Sequence, residues 1–324
     1  MTDILTLAAS NLLSPIILSF ILGLSAALAR SDLSVPEAAA KAISLYLLFA
    51  IGFKGGVSVA AHGIDAKLIA TVGAGLVLSF GLPFIAFGLL RVMTRLSRID
   101  AAAVAAHYGS ISIVTFVAAT SVLESRLIPA EGYMVAVAAA MEAPAILSAL
   151  WLVSRGHGAA PEPGLWREIL LNGSIVLLIG AFAIGMVTGE KGLADISSFI
   201  VAPFKGVLCL FLLDMGLVAG RGLREQRGGL SIGAVAFAVL MPLIGGGIGL
   251  ALALLIGLST GGTALLMVLA ASSSYIAVPA AMRVALPQAN PSVYLTLSLG
   301  VTFPFNLTLG IPLYVALAQS VTGA

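Results

Sequence analysis

This sequence is poor in charge, in cysteine and in histidine, and each shortage excludes a class of protein. Asp, Glu, Lys and Arg together make up 9% of the 324 residues while 60% are hydrophobic, and no soluble domain could enclose that much apolar surface in one core. A mean hydropathy of +1.13 belongs instead to an all-α polytopic membrane protein whose apolar faces meet membrane lipid. The formal net charge is only +2, and the Lys and Arg residues are scattered among short loops, so a nucleic-acid partner has no electrostatic footing. The one cysteine, Cys209, lies in an apolar run; this excludes an internal disulfide framework or a cysteine cluster for zinc, and the residue reads as a small packing group. His62, His107 and His157 are far apart and none opens a metal-ligand spacing, so neither a transition metal nor a cofactor is expected. No nucleophile and base recur at helical spacing within one apolar run, which argues against an enzyme. The first dozen residues hold Asp3 but no Lys or Arg. The charged region of a cleavable signal peptide is therefore missing, and the run from Leu12 to Ala29 reads as a retained first span.

What the chain does have is a succession of long apolar runs. Runs of about twenty such residues cross a bilayer as helices, and ten fit: 12–29, 42–60, 68–91, 100–124, 132–153, 167–188, 201–219, 230–256, 263–285 and 292–319. Arg91, Arg95 and Arg98 follow the third run, Arg155 and Arg167 flank the connection after the fifth, and Arg221, Arg224 and Arg227 follow the seventh. All of these fall on one side, whereas the opposite loops carry only Lys67, Arg126, Lys191 and Lys205. By the positive-inside rule the Arg-rich side is cytoplasmic, which puts both termini outside a bacterial cytoplasmic (inner) membrane. The longest connection, 154–166, is rich in Gly and Pro and reads as a cytoplasmic linker between two halves, 1–153 and 167–324.

The halves echo one another. Gly52 and Gly56 are matched by Gly216 and Gly220, Pro83 by Pro242, Ala105-Ala106 by Ala270-Ala271, Tyr133 by Tyr294 and Pro144 by Pro304, all at offsets near 160 residues. Any one pair could arise by chance in so biased a composition; a common order and offset argues for a repeat. Five spans per half is an odd number, so the second copy enters upside down, and a 5+5 inverted repeat is expected.

Two polar stretches interrupt the apolar runs at matching places. In the fourth span stands His107-Tyr108-Gly109-Ser110-Ile111-Ser112-Ile113-Val114-Thr115, and in the ninth Ala271-Ser272-Ser273-Ser274-Tyr275-Ile276-Ala277-Val278-Pro279. Irregular backbone at membrane depth survives only where protein or a water-filled cavity satisfies it, so helices four and nine are read as broken. Gly109 tolerates irregular backbone, Ser110 and Ser112 can cap a second half-helix, and Ser272, Ser273 and Ser274 do the same ahead of Pro279. The bland alternative is a kinked helix whose serines bond back to their own carbonyls. If the two half-helix N-termini approach one another near the midplane, their N–H groups and these hydroxyls, with Thr115, favour a small anion, and freed carbonyls there could hold Na⁺. The intramembrane charges are Lys54, Glu142 and Asp214, each costly in hydrocarbon. Lys54 could pair with Asp214 or Glu142, either as a brace or as part of an ion-coupling path, and Glu142, just before Pro144, is the preferred cation ligand. The glycines at 52, 55 and 56, and at 245, 246, 247 and 249, read as close-packing faces.

With both polar stretches in view, the chain resembles the sodium-dependent bicarbonate transporter family, the SbtA-like permeases. The resemblance runs over nearly the whole chain and is closest in Ala270-Ala271-Ser272-Ser273-Ser274, in Arg283 followed by Pro287-Gln288-Ala289-Asn290-Pro291-Ser292, and in Gly310-Ile311-Pro312-Leu313. It implies ten helices, with a gate domain of about 12–60 plus 167–219 and a core domain of about 68–153 plus 230–319. It also implies a homotrimer and elevator-like movement of the core, importing bicarbonate with Na⁺. The family's serine-rich breaks map onto Gly109, Ser110 and Ser112 and onto Ser272, Ser273 and Ser274. Two departures stand out: Tyr275 occupies the place of the family's aspartate, and Ala277-Val278-Pro279 that of Gly-Pro-Pro. A PII-like regulator is a partner the family allows, although the linker is much shorter here than in the cyanobacterial members. The alternatives are an Na⁺- or H⁺-coupled carrier of another small carboxylate, and a membrane sensor that binds the anion without moving it.

Overall fold

The computed structural model describes residues 13–142, 144–157, 171, 173–225, 230–275, 278–279, 282 and 286–323. Leu12, the linker beyond residue 157, Arg167, Arg227, Arg283 and the pair Ile276 and Ala277 lie outside the described residues. The described residues are helical and contain no strand. In chain order the helices are α1 (Pro15–Leu28), α2 (Glu37–His62), α3 (Ala66–Met93), α4 (Arg98–Gly109), α5 (Ile113–Ser125), α6 (Met134–Ala140), α7 (Pro144–His157), α8 (Gly173–Ile200), α9 (Phe204–Glu225), α10 (Ile232–Ile256), α11 (Thr260–Ala271) and α12 (Pro291–Thr322). Eight segments are long and apolar enough to cross a membrane, counting Arg98–Ser125 and Met134–Val153 each as one; α1 and α11 are apolar but shorter.

Side chains read directly from the sequence set the helix starts. Ser14, Asp65, Ser97, Ser231 and Ser259 each accept a backbone N–H three residues on, at α1, α3, α4, α10 and α11, which satisfies a donor that a helix start otherwise leaves bare. Gly257, with φ +75°, ends α10 in the left-handed conformation that costs glycine little.

Two sets of helices emerge from the packing. In the first, α1 lies along α9 and α2 along α8, with glycine letting backbone touch backbone. A β-carbon added at Gly56 would fall on the Phe182 carbonyl oxygen, one at Gly185 on that of Phe53, and one at Gly216 on that of Phe20. In membranes, where lipid is as apolar as leucine, such close approach is a main source of helix association. In the second set α3, α4 and α7 pack together, α10 lies on α3 and α11, and α11 meets the end of α12. Gly245 and Gly249 are the close-approach points of α10 on α11, and Gly246 receives the Tyr314 ring. The most apolar stretch of Arg98–Ser125 is wholly buried and that of Val176–Ile200 mostly exposed, so α4 and α5 form the centre and α8 the rim.

Four arginines, Arg91, Arg98, Arg221 and Arg224, gather at one end, with Arg126 at the other. Arg224 donates to the Ala27 carbonyl at 2.8 Å and Arg221 to that of Leu33 at 3.2 Å, while Arg91 reaches Leu96 O at 3.0 Å and Arg98 reaches Leu152 O at 3.0 Å. At the other end Lys67 donates to Gly257 O at 2.7 Å.

Candidate functional site

Helix α4 ends at Gly109, where a β-carbon would strike the Pro83 ring and the Ser79 carbonyl of α3; glycine is what lets the helix end sit there. Ser110 then turns extended (φ −91°, ψ 167°), and α5 begins at Ile113. Helix α11 ends at Ala271 and Ser272 turns extended in the same way (φ −82°, ψ 167°). Both helices have 12 residues, and the two extended serines are 162 positions apart. The polar segments 110–112 and 272–274 are all buried, none of their serines more than 3% exposed.

The two segments meet. The Ser112 N–H donates to the Ser272 hydroxyl at 3.0 Å, and the Ser274 N–H donates to the His107 carbonyl at 2.8 Å. Ser272 in turn donates its proton to Leu269 O at 2.9 Å. Ser112 caps α5 by accepting from Thr115 N–H at 3.2 Å and takes the Thr115 hydroxyl at 2.8 Å. Ser274 accepts the Val278 N–H at 3.4 Å. Ser110 donates to the Glu142 carboxylate at 3.2 Å, and Glu142 is itself buried. The Ser273 hydroxyl stands apart: at 2% exposure it has no hydrogen-bond partner among the described residues. The Tyr275 hydroxyl lies near Ser112 without reaching hydrogen-bond geometry.

The structure therefore brings together Gly109, Ser110, Ser112, Thr115, Ser272, Ser273, Ser274 and Glu142, but gives them unequal parts. Gly109 packs, Ser112, Thr115 and Ser272 hold the two segments to each other, and Ser273 is left with bonding capacity. An unpaired buried polar group is costly, so Ser273, with the Tyr275 hydroxyl and His107 Nε2, which are unpartnered as well, is suited to meet a ligand, as donor to an anion or acceptor toward a cation.

Lys54 and Asp214 lie elsewhere. Lys54 meets neither expected partner: its ammonium lies 3.8 Å from Glu124 and 5.3 Å from the Phe204 ring centroid. The cause is rotational. Gly52 and Gly56 face α8, and position 54, half a turn from both, points the opposite way, toward α5. Asp214, on α9, has Arg221 two turns on as its charged neighbour.

Several residues that support the site escaped the sequence reading. Asn306, 1% exposed, donates its amide to the Ala271 carbonyl at 2.9 Å and accepts from the Tyr314 hydroxyl at 3.3 Å. Tyr108 and Thr302 share a 2.6 Å hydrogen bond, and Thr302 donates to Ala238 O at 2.7 Å. Ser79 satisfies Met141 O at 2.7 Å, ahead of Pro144. The available signal was a run of buried polar residues, Thr296, Ser298, Thr302 and Asn306, inside an apolar span around Pro304. Here α12 carries two π-helical stretches, Thr296–Thr302 and Asn306–Gly310, a feature frequent at functional sites. Among the described residues no three His, Cys, Asp or Glu side chains gather as a metal site.

Apolar helices of membrane length, with a buried meeting of two polar segments at their centre, define a polytopic membrane protein with a candidate small-ligand site. The chain belongs to the Na⁺-dependent bicarbonate transporter superfamily, whose family model matches residues 15–319. The family is one of transporters rather than enzymes. Comparison with curated proteins gives no match.

Proposed function

We propose that this chain imports bicarbonate together with Na⁺, holding the anion where the two polar segments meet. The observation that carries the reading is the unpartnered Ser273 hydroxyl at the crossing of two matched, serine-capped helices of equal length. Family membership supports bicarbonate as substrate and Na⁺ as coupling ion. Ten crossings in a 5+5 inverted repeat follow if α4 with α5 is one broken span and α11 with the segment after it another. The matched dihedrals of Ser110 and Ser272 support that reading, as do Pro83 and Pro242 inside α3 and α10. So does the placing of a hydroxyl four residues after each proline: Thr308 donates to Pro304 O at 2.8 Å, while Ser148 donates chiefly to Phe80 O at 2.6 Å and lies 3.3 Å from Pro144 O.

On this reading α1, α2, α8 and α9 form the gate and the remaining helices the core, which slides past the gate carrying the anion. The packing of α1 on α9 and α2 on α8 supports the division. Glu142, beside the first polar segment, is the cation ligand. A homotrimer in the bacterial inner membrane, with both termini outside, completes the proposal, and a PII-like regulator has no support beyond the family. The deciding experiment is uptake of labelled bicarbonate by proteoliposomes with and without an inward Na⁺ gradient. Na⁺-stimulated uptake that Glu142→Gln renders Na⁺-independent is expected; saturable binding without uptake would instead make the chain an anion sensor.

A further inference from the structure

Between α2 and α5, at the end opposite Arg91, Arg98, Arg221 and Arg224, lies a cavity of about 250 Å³. Ile51, Lys54 and Ser58 line it from α2, Phe116, Ser121 and Glu124 from α5. Phe116 in its wall is one helical turn from Ser112, and Glu131 also lines it, so the cavity lies close to the candidate site. The two carboxylates in its wall are engaged. Glu131 accepts the Ser259 N–H and hydroxyl, both at 2.7 Å, and Glu124 faces Lys54. Among the described residues Lys54 is the one cation lining the cavity. An ammonium has three donors, and this one has a single carboxylate contact, at the long distance of 3.8 Å, with an aromatic ring at 5.3 Å.

The link between Lys54 and Glu124 is easily exchanged. The two side chains are 36% and 49% exposed, and ion pairs that exposed contribute little net stability because water screens them. A small oxyanion entering the cavity can thus replace Glu124 at nearly equal free energy and find a cation already partly stripped of water.

We infer that Lys54 is the receiving group for a small oxyanion in this cavity, and that Glu124 is the counter-ion which the oxyanion displaces. The inference rests on the chain being a bicarbonate carrier. It also predicts opposite signs for two neutralisations that a simple brace would make alike. In proteoliposome uptake, Lys54→Met raises the half-saturating bicarbonate concentration about tenfold, the size of one charge-assisted contact. Lys54→Arg stays near the parent, and Glu124→Gln lowers the half-saturating concentration because the competitor has gone. If Lys54→Met and Glu124→Gln shift it in the same direction, or Lys54→Met leaves it unchanged, the inference is overturned. A second measurement needs no transport: bicarbonate, but not chloride, should slow acylation of Lys54 in the intact chain, followed by mass spectrometry at constant pH. Protection at Lys54 in a chain that takes up no bicarbonate would leave this site standing and remove the transport reading. Absence of protection in a chain that does take it up would remove this site alone.

Discussion

The five serines of the two polar segments look alike in sequence and have separate tasks in the structure. Ser272 accepts from Ser112 N–H and donates to Leu269 O, so its loss leaves a buried N–H bare. Ser272→Ala is expected to lower stability by about 1–3 kcal/mol, the cost of an unsatisfied buried donor, read as an earlier thermal unfolding of the detergent-solubilised chain. Ser273 makes no such contact. Ser273→Ala should leave the melting temperature unchanged or slightly raised, while weakening bicarbonate by several-fold, or about 1 kcal/mol, in isothermal titration. Equal stability losses for the two variants would mean that Ser273 is structural as well. The sequence pointed to all of these serines because hydroxyls clustered in an apolar run are conspicuous. It could not rank them, since the ranking depends on which hydroxyl finds a partner from 160 residues away. Lys54 teaches the converse: its direction was implicit in Gly52 and Gly56, but only once those glycines are known to face α8.

Among the elements, α12 is the one whose importance was hardest to read. Its hydropathy marks it as an ordinary span, and the polar run from Thr296 to Asn306 does not by itself say that Thr302 reaches Tyr108 near the end of α4 and Asn306 the end of α11. Asn306 holds the carbonyl at the end of α11, and Gly310 leaves room for it, since a β-carbon there would crowd the Asn306 amide oxygen and the Tyr314 ring. Asn306→Leu keeps the volume and removes the donor, freeing the Ala271 carbonyl. Deuterium exchange is then expected to quicken in the peptide spanning 269–275 and to stay unchanged in α8, which packs chiefly on α2. Uniform quickening across both would show a general loss of fold, and no change would mean that the α11 end is held by other contacts. The helix starts were more legible, because Ser and Asp caps act within three residues.

For the whole molecule the arginines define the direction. Arg91, Arg98, Arg221 and Arg224 all bond to backbone at one end, and a positively charged end is retained in the cytoplasm. A reporter fused after Ala324 should therefore be active only if it functions outside the cytoplasm; cytoplasmic activity would reverse the proposed topology and require the repeat to be redrawn. The long apolar runs were legible because bilayer thickness fixes their length, and eight segments among the described residues are long and apolar enough to cross. The grouping of helices came only through the family resemblance and not from the residues themselves, because it depends on glycines meeting backbone well over 100 residues away across an interface.

The mutual bonding of the two polar segments also bears on how the chain is made. Ser112 waits for Ser272, 160 residues further on, and synthesis at about 5–20 residues per second makes that wait on the order of ten seconds or more. Throughout it, the first half sits in the bilayer with the Ser112 N–H lacking its eventual partner. The centre of the molecule is thus the last part to be completed, and a ribosome that stalls in the linker leaves behind a nascent fragment with an open polar seam, a natural target for membrane quality control.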